Sequence, residues 1–236
     1  MSDISRYKGK LFSILGDSIS TLEGYSEPEY AEYYTGYRKI EADIYAPDET
    51  WWGRVTDALG GELLVNNSIS GSTVCKRRIY KTQSYGCSDE RTAAMCRYGL
   101  TPDVIMVFMG ENDWGCGIRI APRDEGEAEE LSVFSVAYRE MLRKLRANCP
   151  EAEIWCFTLP VSTRKNNPDY VFPYCIGGRH IEEYCEAIKV CAEENGCRVI
   201  DLYRHAEPFD TVDDFHPNYE GMKTIADAVL KILEMD

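Results

Sequence analysis

Four short segments of the sequence carry side chains that could act together on a carbonyl compound. In the first, Gly16-Asp17-Ser18 places a serine directly after an apolar run. A tight strand-to-helix turn there would present the hydroxyl at the edge of a sheet. A serine hydroxyl is a weak nucleophile unless a base takes its proton. A serine after a strand is also a common helix cap, so the tripeptide needs partners before it indicates catalysis.

The base has few candidates, because the chain contains three histidines. His216 follows Asp213 by three residues in the segment DDFHP. An aspartate at that spacing can bend back and accept the Nδ1 proton of the imidazole, which leaves Nε2 free as a base. The alternative is that Asp213 or Asp214 caps a turn and that His216 is a surface residue. The other two histidines, His180 and His205, have no such partner.

Two further loops could supply hydrogen-bond donors to a developing oxyanion. The loop NNSISGST contains Gly71, whose backbone N–H could approach a ligand closely. The loop GEND contains Asn112, whose side-chain amide could donate a second hydrogen bond. Each loop is also what an ordinary turn would contain, since Asn and Gly dominate turns for backbone reasons.

The elements that must position these residues are predicted to be five strands separated by helices. The apolar runs are LFSIL (11–15), ELLVN (62–66), DVIMVFMG (103–110), EIWCFTL (153–159) and CRVIDLY (197–203). They lack alternation, as strands covered on both faces should. Helices are predicted at 48–61, capped by Asp48 or Thr50, and at about 127–147, 179–195 and 219–234. This rhythm is typical of one α/β domain, residues 1–236, with a mainly parallel sheet.

Two segments do not fit this rhythm and are candidates for the walls of a substrate site. Residues 22–50 form an acidic insertion with six tyrosines, and residues 163–178 are polar and aromatic. Both follow strand ends, where ligands bind in parallel α/β sheets. The tyrosines, with Trp51 and Trp52, suggest a platform for a sugar. Equally open alternatives are ordinary surface loops and, for the two tryptophans, the start of a packed helix.

Composition excludes several classes of function. The chain has 236 residues, 40 acidic against 26 basic ones, and a formal charge of −14. Nucleic acids and anionic membranes are therefore disfavoured as partners, because both need clustered Lys and Arg. The N-terminus lacks the apolar core of a signal peptide, and no apolar run approaches the roughly 18 residues that span a bilayer. We expect a cytoplasmic, globular protein.

Ten cysteines occur without a CxxC pair or regular spacing. Several lie inside apolar stretches, such as Cys156 and Cys191. We expect reduced thiols that mostly pack as small hydrophobic side chains, rather than disulfides. No cysteine lies at ligand spacing from a histidine, which argues against a zinc site.

In combination, the four segments resemble the SGNH hydrolase superfamily, the GDSL-type esterases and acylhydrolases. That family is named for Ser, Gly, Asn and His in four sequence blocks. The matching segments are GDSIS with Ser18, NNSISGST with Gly71, GEND with Asn112, and DDFHP with Asp213 and His216. Ile19 stands where the family name has Leu, and the family's DxxH spacing selects Asp213 over Asp214. The rival α/β-hydrolase fold needs a GxSxG elbow, which this sequence lacks.

The resemblance implies a flavodoxin-like three-layer α/β/α sandwich with a five-stranded parallel sheet of order 2-1-3-4-5. It also implies that Ser18 attacks an ester carbonyl while His216, oriented by Asp213, accepts the proton. The amides of Ser18 and Gly71 and the side chain of Asn112 would hold the oxyanion. No metal or organic cofactor is implied, and the partner is a small-molecule ester.

Family motifs leave the acyl and alcohol parts of the substrate open. An acetyl or similar short acyl ester, on a carbohydrate or related alcohol, is the preferred hypothesis, because the aromatic segments suit sugars and no apolar lid is evident. Lysophospholipase or thioesterase activity is the alternative within the family. A non-catalytic small-molecule-binding protein on the same fold is the alternative outside it, although it would not need the four chemical residues together.

Overall fold

The structure, a computed structural model, describes residues 4–27, 29–76, 85–121 and 131–235. Its strands are Leu11–Gly16 (β1), Glu62–Ser68 (β2), Val104–Phe108 (β3), Glu153–Phe157 (β4), Ser162–Thr163 (β5), Cys175–Ile176 (β6), Arg179–His180 (β7), Arg198–Ile200 (β8) and Phe209–Asp210 (β9). Its α-helices are Tyr37–Ala42 (α1), Trp51–Ala58 (α2), Asp89–Ala93 (α3), Glu111–Gly115 (α4), Phe134–Asn148 (α5), Ile181–Glu194 (α6), Leu202–His205 (α7) and Tyr219–Met235 (α8). Short 3₁₀ turns lie at Ile4–Tyr7, Ser18–Ser20 and Pro47–Glu49.

The central sheet has five strands in the order β2-β1-β3-β4-β8, and every neighbouring pair is parallel. Each of the five predicted runs forms one of these strands, so the predicted order 2-1-3-4-5 is confirmed. Three strands end earlier than predicted, and one of them, β4, stops at Phe157 rather than at residue 159. β3 stops at Phe108 because Gly110, at φ +130°, turns the chain into α4. β8 stops at Ile200 because α7 begins at Leu202.

Helices cover both faces of the sheet and bury two apolar cores. On one face, α5 and α6 pack over β3 and β4 through residues such as Met141 and Ile188. On the other, α2 and α8 contribute Trp51 and Val229, among others. The predicted three-layer α/β/α arrangement follows, because a parallel sheet with two apolar faces needs a layer of helices on each.

Three of the predicted helices begin later in the chain than the sequence pattern indicated. Thr50, not Asp48, caps α2, since its hydroxyl accepts a hydrogen bond from the N–H of Gly53. The predicted helix at about 127–147 begins at Phe134, and residues 127–130 lie outside the described part of the chain. The helix predicted from 179 begins at Ile181, because Arg179–His180 first pair with Cys175–Ile176 in a hairpin.

Two side-chain expectations have different outcomes. All ten cysteines are free thiols and six of them are buried, as expected for small hydrophobic side chains. The sugar-platform role suggested for Trp51 and Trp52 is wrong. Both indoles are at most 1% exposed, and Trp51 packs against Phe108 and Phe157 in the core.

Within the described residues, no helix is both long and apolar enough to cross a membrane.

Candidate active site

Ser18 lies at the carboxyl end of β1, on a 3₁₀ turn that points it toward the edge of the sheet. Asp17 caps this turn by accepting a hydrogen bond from the N–H of Ile19 at 3.1 Å. A side chain at Gly16 would collide with Ser68 and Ser20, since its Cβ would come within 2.8 Å of their side-chain atoms. The turn therefore needs glycine before Asp17, and it leaves Ser18 7% exposed.

The structure brings Ser18, His216 and Asp213 into one line of hydrogen bonds. The Ser18 hydroxyl lies 2.9 Å from Nε2 of His216, although the two residues are 198 positions apart. Nδ1 of the same ring lies 2.9 Å from both carboxylate oxygens of Asp213. The backbone N–H of His216 also donates to Asp213 at 2.9 Å, so the carboxylate holds both ring and backbone.

Electrostatics determine which nitrogen of the ring is free. Burial alone would raise the pKa of Asp213, but the hydrogen bonds and charge of His216, with a hydrogen bond from Tyr33, lower it well below its ordinary value. Asp213 is therefore ionised at neutral pH and accepts the Nδ1 proton. In the neutral imidazole this leaves Nε2 unprotonated and able to take the Ser18 proton.

Asp214 is separated from this line. Its carboxylate pairs with Arg164 at 2.8 Å, and its backbone adopts φ +81°. The DxxH spacing thus selected the carboxylate that contacts the ring. His180 caps α6, and His205 lies exposed at the end of α7, so neither belongs to this arrangement.

Asn112 and the Gly71 loop lie beside the 3₁₀ turn that carries Ser18, the predicted nucleophile; we call this segment the nucleophile turn. The side-chain amide of Asn112 donates to the Ser72 carbonyl at 3.0 Å and, more weakly, to Asp17 at 3.4 Å. Gly71 adopts φ +76°, a conformation that favours glycine. In the described part of the chain, the backbone N–H groups of Ser18 and Gly71 donate no hydrogen bond. The Asn112 amide therefore lies between the Gly71 loop and the turn that carries Ser18.

Arg91, which was not predicted as a site residue, lies beneath this edge of the sheet and forms hydrogen bonds with three of its segments. Its fully buried guanidinium donates to the side chain and carbonyl of Asn67, at 2.6 and 2.7 Å, and to the carbonyl of Gly16 at 2.8 Å. It also donates to the Ser72 hydroxyl at 2.7 Å. Burial lowers the pKa of Arg91 to about 10, so the group stays charged at neutral pH. One side chain thus ties together β1, β2 and the Gly71 loop.

The buried carboxylate of Asp113 connects the segment that follows Gly71 to helix α4. The Asp113 carboxylate accepts from the N–H groups of Val74 and Cys75 at 2.8 and 3.1 Å. Burial raises the pKa of Asp113 to about 6, and that of Asp17 to about 7. Burial, followed by the charge of Asp17, raises the pKa of Glu111 to about 8. All three pKa values on this side of the site are therefore raised, but only Glu111 stays mostly protonated at neutral pH, whereas Asp113 is mostly ionised.

The two candidate wall segments contact the site in part. From residues 22–50, Tyr33 stacks on the His216 ring, with centroids 3.5 Å apart and planes at 8°. From residues 163–178, Tyr170 donates to the Asp214 carbonyl at 3.1 Å. Three other tyrosines of the insertion are exposed, the most so being Tyr37 at 73%, whereas Tyr34 is fully buried. Tyr33 and Tyr170 thus contact the loop that carries His216, and the role of the two segments as walls of a substrate site stays a prediction.

The missed residues carried weak sequence signals. Arg91 lies in SDERTAA, which has the composition of an exposed helix, and only tertiary structure buries it. Tyr33 was one of six tyrosines in its segment, with nothing to distinguish it. Asp113 was the one with a usable signal, because it belongs to the GEND block and follows Asn112 directly.

Solved structures support the same fold. A protein described as a GDSL-like lipase from Bacteroides ovatus matches with 25% identity and a TM-score of 0.72, over 97% of this chain and 100% of that one. A second, from Bacteroides uniformis, is 28% identical with a TM-score of 0.68, over 97% of each chain. A carbohydrate acetylesterase from Sinorhizobium meliloti is 13% identical with a TM-score of 0.64, over 96% of this chain and 100% of that one, which shows a shared fold alone.

Comparison with curated protein sequences gave no match. The family model of the GDSL-like lipases and acylhydrolases matches residues 10–160, which include the Ser18, Gly71 and Asn112 segments. That range covers more than half of the chain, and the architecture agrees with that of GDSL-like structures. The chain belongs to the GDSL-like lipase/acylhydrolase family, within the SGNH hydrolase superfamily.

Proposed function

We propose that this protein is a serine esterase that hydrolyses short-chain esters, acetyl esters above all, through Ser18, His216 and Asp213. The observation that carries the proposal is the continuous hydrogen-bonded line from the Ser18 hydroxyl through His216 to Asp213. A nucleophile, a base within reach of its proton and a third group that orients the base are the parts that acyl transfer requires.

In the first half of the reaction, the Ser18 oxygen attacks the ester carbonyl carbon while its proton passes to Nε2 of His216. The π electrons of the carbonyl move onto its oxygen and form a tetrahedral oxyanion. As this intermediate collapses, the bond to the alcohol breaks, and His216 returns the proton to the departing alkoxide. The Asp213 carboxylate stabilises the imidazolium that exists between the two proton transfers.

The oxyanion would be held by the N–H groups of Ser18 and Gly71 and by the Asn112 amide. Asn112 is already oriented by its 3.0 Å hydrogen bond to Ser72. The longer 3.4 Å contact to Asp17 is the one an oxyanion would replace. Donors already in place for the developing charge lower the barrier because they need little reorganisation during the reaction.

The second half repeats these steps with water. His216 takes a proton from water, the resulting hydroxide attacks the acyl-enzyme carbonyl, and a second oxyanion forms on the same donors. Its collapse releases the carboxylic acid and returns the proton to Ser18. One serine, one imidazole and one set of donors therefore serve both halves.

The preference for a short acyl group on a polar alcohol rests on the site's surroundings. Two tyrosines contact the loop that carries His216, and amphipathic rings of this kind suit a polar alcohol better than a long acyl chain. These tyrosines are Tyr33, which stacks on the His216 ring, and Tyr170, which donates to the Asp214 carbonyl. Sharing a fold with a carbohydrate acetylesterase is consistent with this preference.

The test is hydrolysis of 4-nitrophenyl acetate, butyrate and octanoate by the wild type, by Ser18→Ala and by the exposed control Ser5→Ala. We expect Ser18→Ala to lower kcat by about 10⁴ or more, because loss of a nucleophile that acts as a unit with its base removes most of the catalysis. The control should match the wild type. Acetate should be the best of the three substrates.

Two outcomes would contradict the proposal. Turnover retained by Ser18→Ala, or none in the wild type with any of the three esters, would rule out the serine-esterase mechanism. Rates that rise steeply with chain length would leave the mechanism intact but replace the acetyl preference with a lysophospholipase-like or thioesterase-like one.

A further inference from the structure

The Tyr-rich insertion makes contact with the proposed base at Tyr33, which we infer to be a positioning residue for His216. This inference rests on the proposed function. The Tyr33 hydroxyl donates to Oδ2 of Asp213 at 2.7 Å, while its ring covers one face of the imidazole at 3.5 Å. One side chain thus contacts both the base and the carboxylate that orients it.

The same residue is also tied to the nucleophile turn. The backbone N–H of Tyr33 donates to Oγ1 of Thr21 at 2.9 Å. That hydroxyl in turn donates to the backbone carbonyl of Ser18 at 2.8 Å. A short path of hydrogen bonds therefore runs from Ser18 through Thr21 and Tyr33 to Asp213, alongside the direct contact between Ser18 and His216.

The neighbouring Tyr34 contacts the other end of the loop from Asp213 to Pro217, which we call the histidine loop. It is fully buried, and its hydroxyl donates to the backbone carbonyl of Pro217 at 2.7 Å. Its ring meets that of Tyr33 edge-on, with centroids 5.0 Å apart. Tyr33 and Tyr34, which we call the tyrosine clamp, therefore hold the loop from Asp213 to Pro217 against the nucleophile turn.

Such a clamp is needed because the histidine loop has little regular structure of its own. Asp213 to His216 lie between strand β9 and helix α8, with a single backbone bridge from Thr211 to Pro217 at their base. A loop of this kind can shift by an ångström at small energetic cost, whereas a misplacement of about 1 Å can reduce the rate about 10²-fold. The stacked ring limits rotation of the imidazole, and the hydroxyl limits movement of Asp213.

The ring also offers a benefit that appears only during the reaction. When His216 takes the serine proton it becomes a cation, and the face of a tyrosine ring attracts a cation. Tyr33 thus favours the charged form of the base by stacking and restrains it by hydrogen bonding. These two contributions can be separated by substitution, because phenylalanine keeps the ring and removes the hydroxyl.

The experiment compares the wild type with Tyr33→Phe, Tyr33→Leu and the control Tyr37→Leu, which alters a 73% exposed tyrosine of the same insertion. We expect kcat on 4-nitrophenyl acetate to fall about tenfold in Tyr33→Phe and about a hundredfold in Tyr33→Leu, as misplacement of a base predicts. KM should stay within about twofold, and the control should match the wild type. Melting temperatures identify any variant that fails to fold.

A readout independent of ester turnover separates this inference from the proposed function. A fluorophosphonate, which reacts covalently with an activated serine, is followed by intact mass, and the His216 Nδ1 proton is observed by NMR. Failure to label wild-type Ser18 would contradict the proposed function. Loss of the Nδ1 signal in Tyr33→Leu but not in Tyr37→Leu supports the clamp whether or not turnover is seen. Unchanged kcat, labelling rate and Nδ1 signal in Tyr33→Leu would overturn the clamp.

Discussion

The two sides of the site are held in place by different kinds of interaction. On the side of the predicted oxyanion donors Gly71 and Asn112, which we call the oxyanion side, Arg91 and Asp113 are both 0% exposed. They bind backbone and side-chain groups through charged hydrogen bonds. On the histidine side, the side chains of His216 and Asp213 are 18% and 29% exposed. There the contacts to the ring and its carboxylate partner come from the ring and neutral hydroxyl of Tyr33, while Tyr34 holds the Pro217 carbonyl and an Arg164 ion pair holds Asp214.

The difference fits what each side would have to do. Oxyanion donors must stay still, and buried charges with several partners give that rigidity, since removing one leaves its partners unsatisfied at a high cost. The proposed base must gain and lose a proton in each half-reaction. A partly exposed ring stacked on tyrosine tolerates both charge states, because it keeps contact with water and with a π face.

The largest expected effect is on the oxyanion side, in Arg91→Met. Several buried oxygens would lose their donor, so we expect the free energy of unfolding to drop by about 3–5 kcal/mol. The measurement is chemical denaturation. Arg143→Met, which removes an arginine whose side chain is 63% exposed, is the control and should change stability by less than about 0.5 kcal/mol. A similarly small change in Arg91→Met would show that the buried network is not what holds this side together.

The next effect is on rate rather than stability. Asn112→Ala removes a proposed oxyanion donor, and we expect kcat to fall by about 10²–10³ with little change in KM. Steady-state kinetics on the short-chain ester measures both constants. Asn195→Ala, at the end of α6, is the control. If Asn112→Ala raised KM and left kcat unchanged, the side chain would bind substrate without stabilising the oxyanion.

The smallest expected effect is on the pH dependence of the free energy of unfolding, to which carboxyl groups on the two sides contribute with opposite sign. Burial raises the pKa of Glu111 to about 8 from an ordinary 4.5, so this group contributes stability below about pH 4.5 that is lost as pH rises through 8. The lowered pKa of Asp213 has the opposite sign, and its contribution is lost only as pH falls below 3.8 toward its folded value. Stability should therefore decline from pH 5 to pH 9.

Glu111→Gln tests this assignment, because glutamine has a similar shape and does not ionise. Thermal unfolding should show the variant and the wild type alike at pH 5, and the variant more stable at pH 9 by about 1–2 kcal/mol, after allowance for water near this partly exposed group. The exposed control Glu207→Gln should not change the slope. Parallel curves for Glu111→Gln and the wild type would rule out Glu111 as the source.

Much of the fold could be predicted because it depends on local pattern. Continuous apolar runs marked all five strands of the sheet, and the helix predicted at 219–234 forms α8, whose buried face includes Met222, Ile225 and Val229. Boundaries were less certain where a tertiary partner sets them. The start of α6, however, depends on the hairpin between β6 and β7, whose Gly177-Gly178 turn is a local hairpin signal that the predicted helix start overlooked.

The candidate site divides in the same way. The motifs around Ser18, Gly71, Asn112, Asp213 and His216 were readable because each combines residue types with a fixed local spacing. Arg91 and Tyr33 were not, since nothing in their neighbours distinguishes a buried arginine from a surface one, or a stacked tyrosine from an exposed one. The sequence also left open whether Trp51 and Trp52 are exposed or packed in the core, and in the structure both are buried.

By itself, the sequence determined the order of strands and helices, the family and the set of groups available for chemistry, all of which follow from composition and short-range spacing. Tertiary structure alone decided what supports those groups. It buried Arg91 beneath the oxyanion side and laid Tyr33 on the imidazole. Both outcomes depend on contacts between segments far apart in the chain, 75 residues for Arg91 with Gly16 and 180 for Tyr33 with Asp213. Burial and stacking are properties of the packed chain, so no local pattern encodes them.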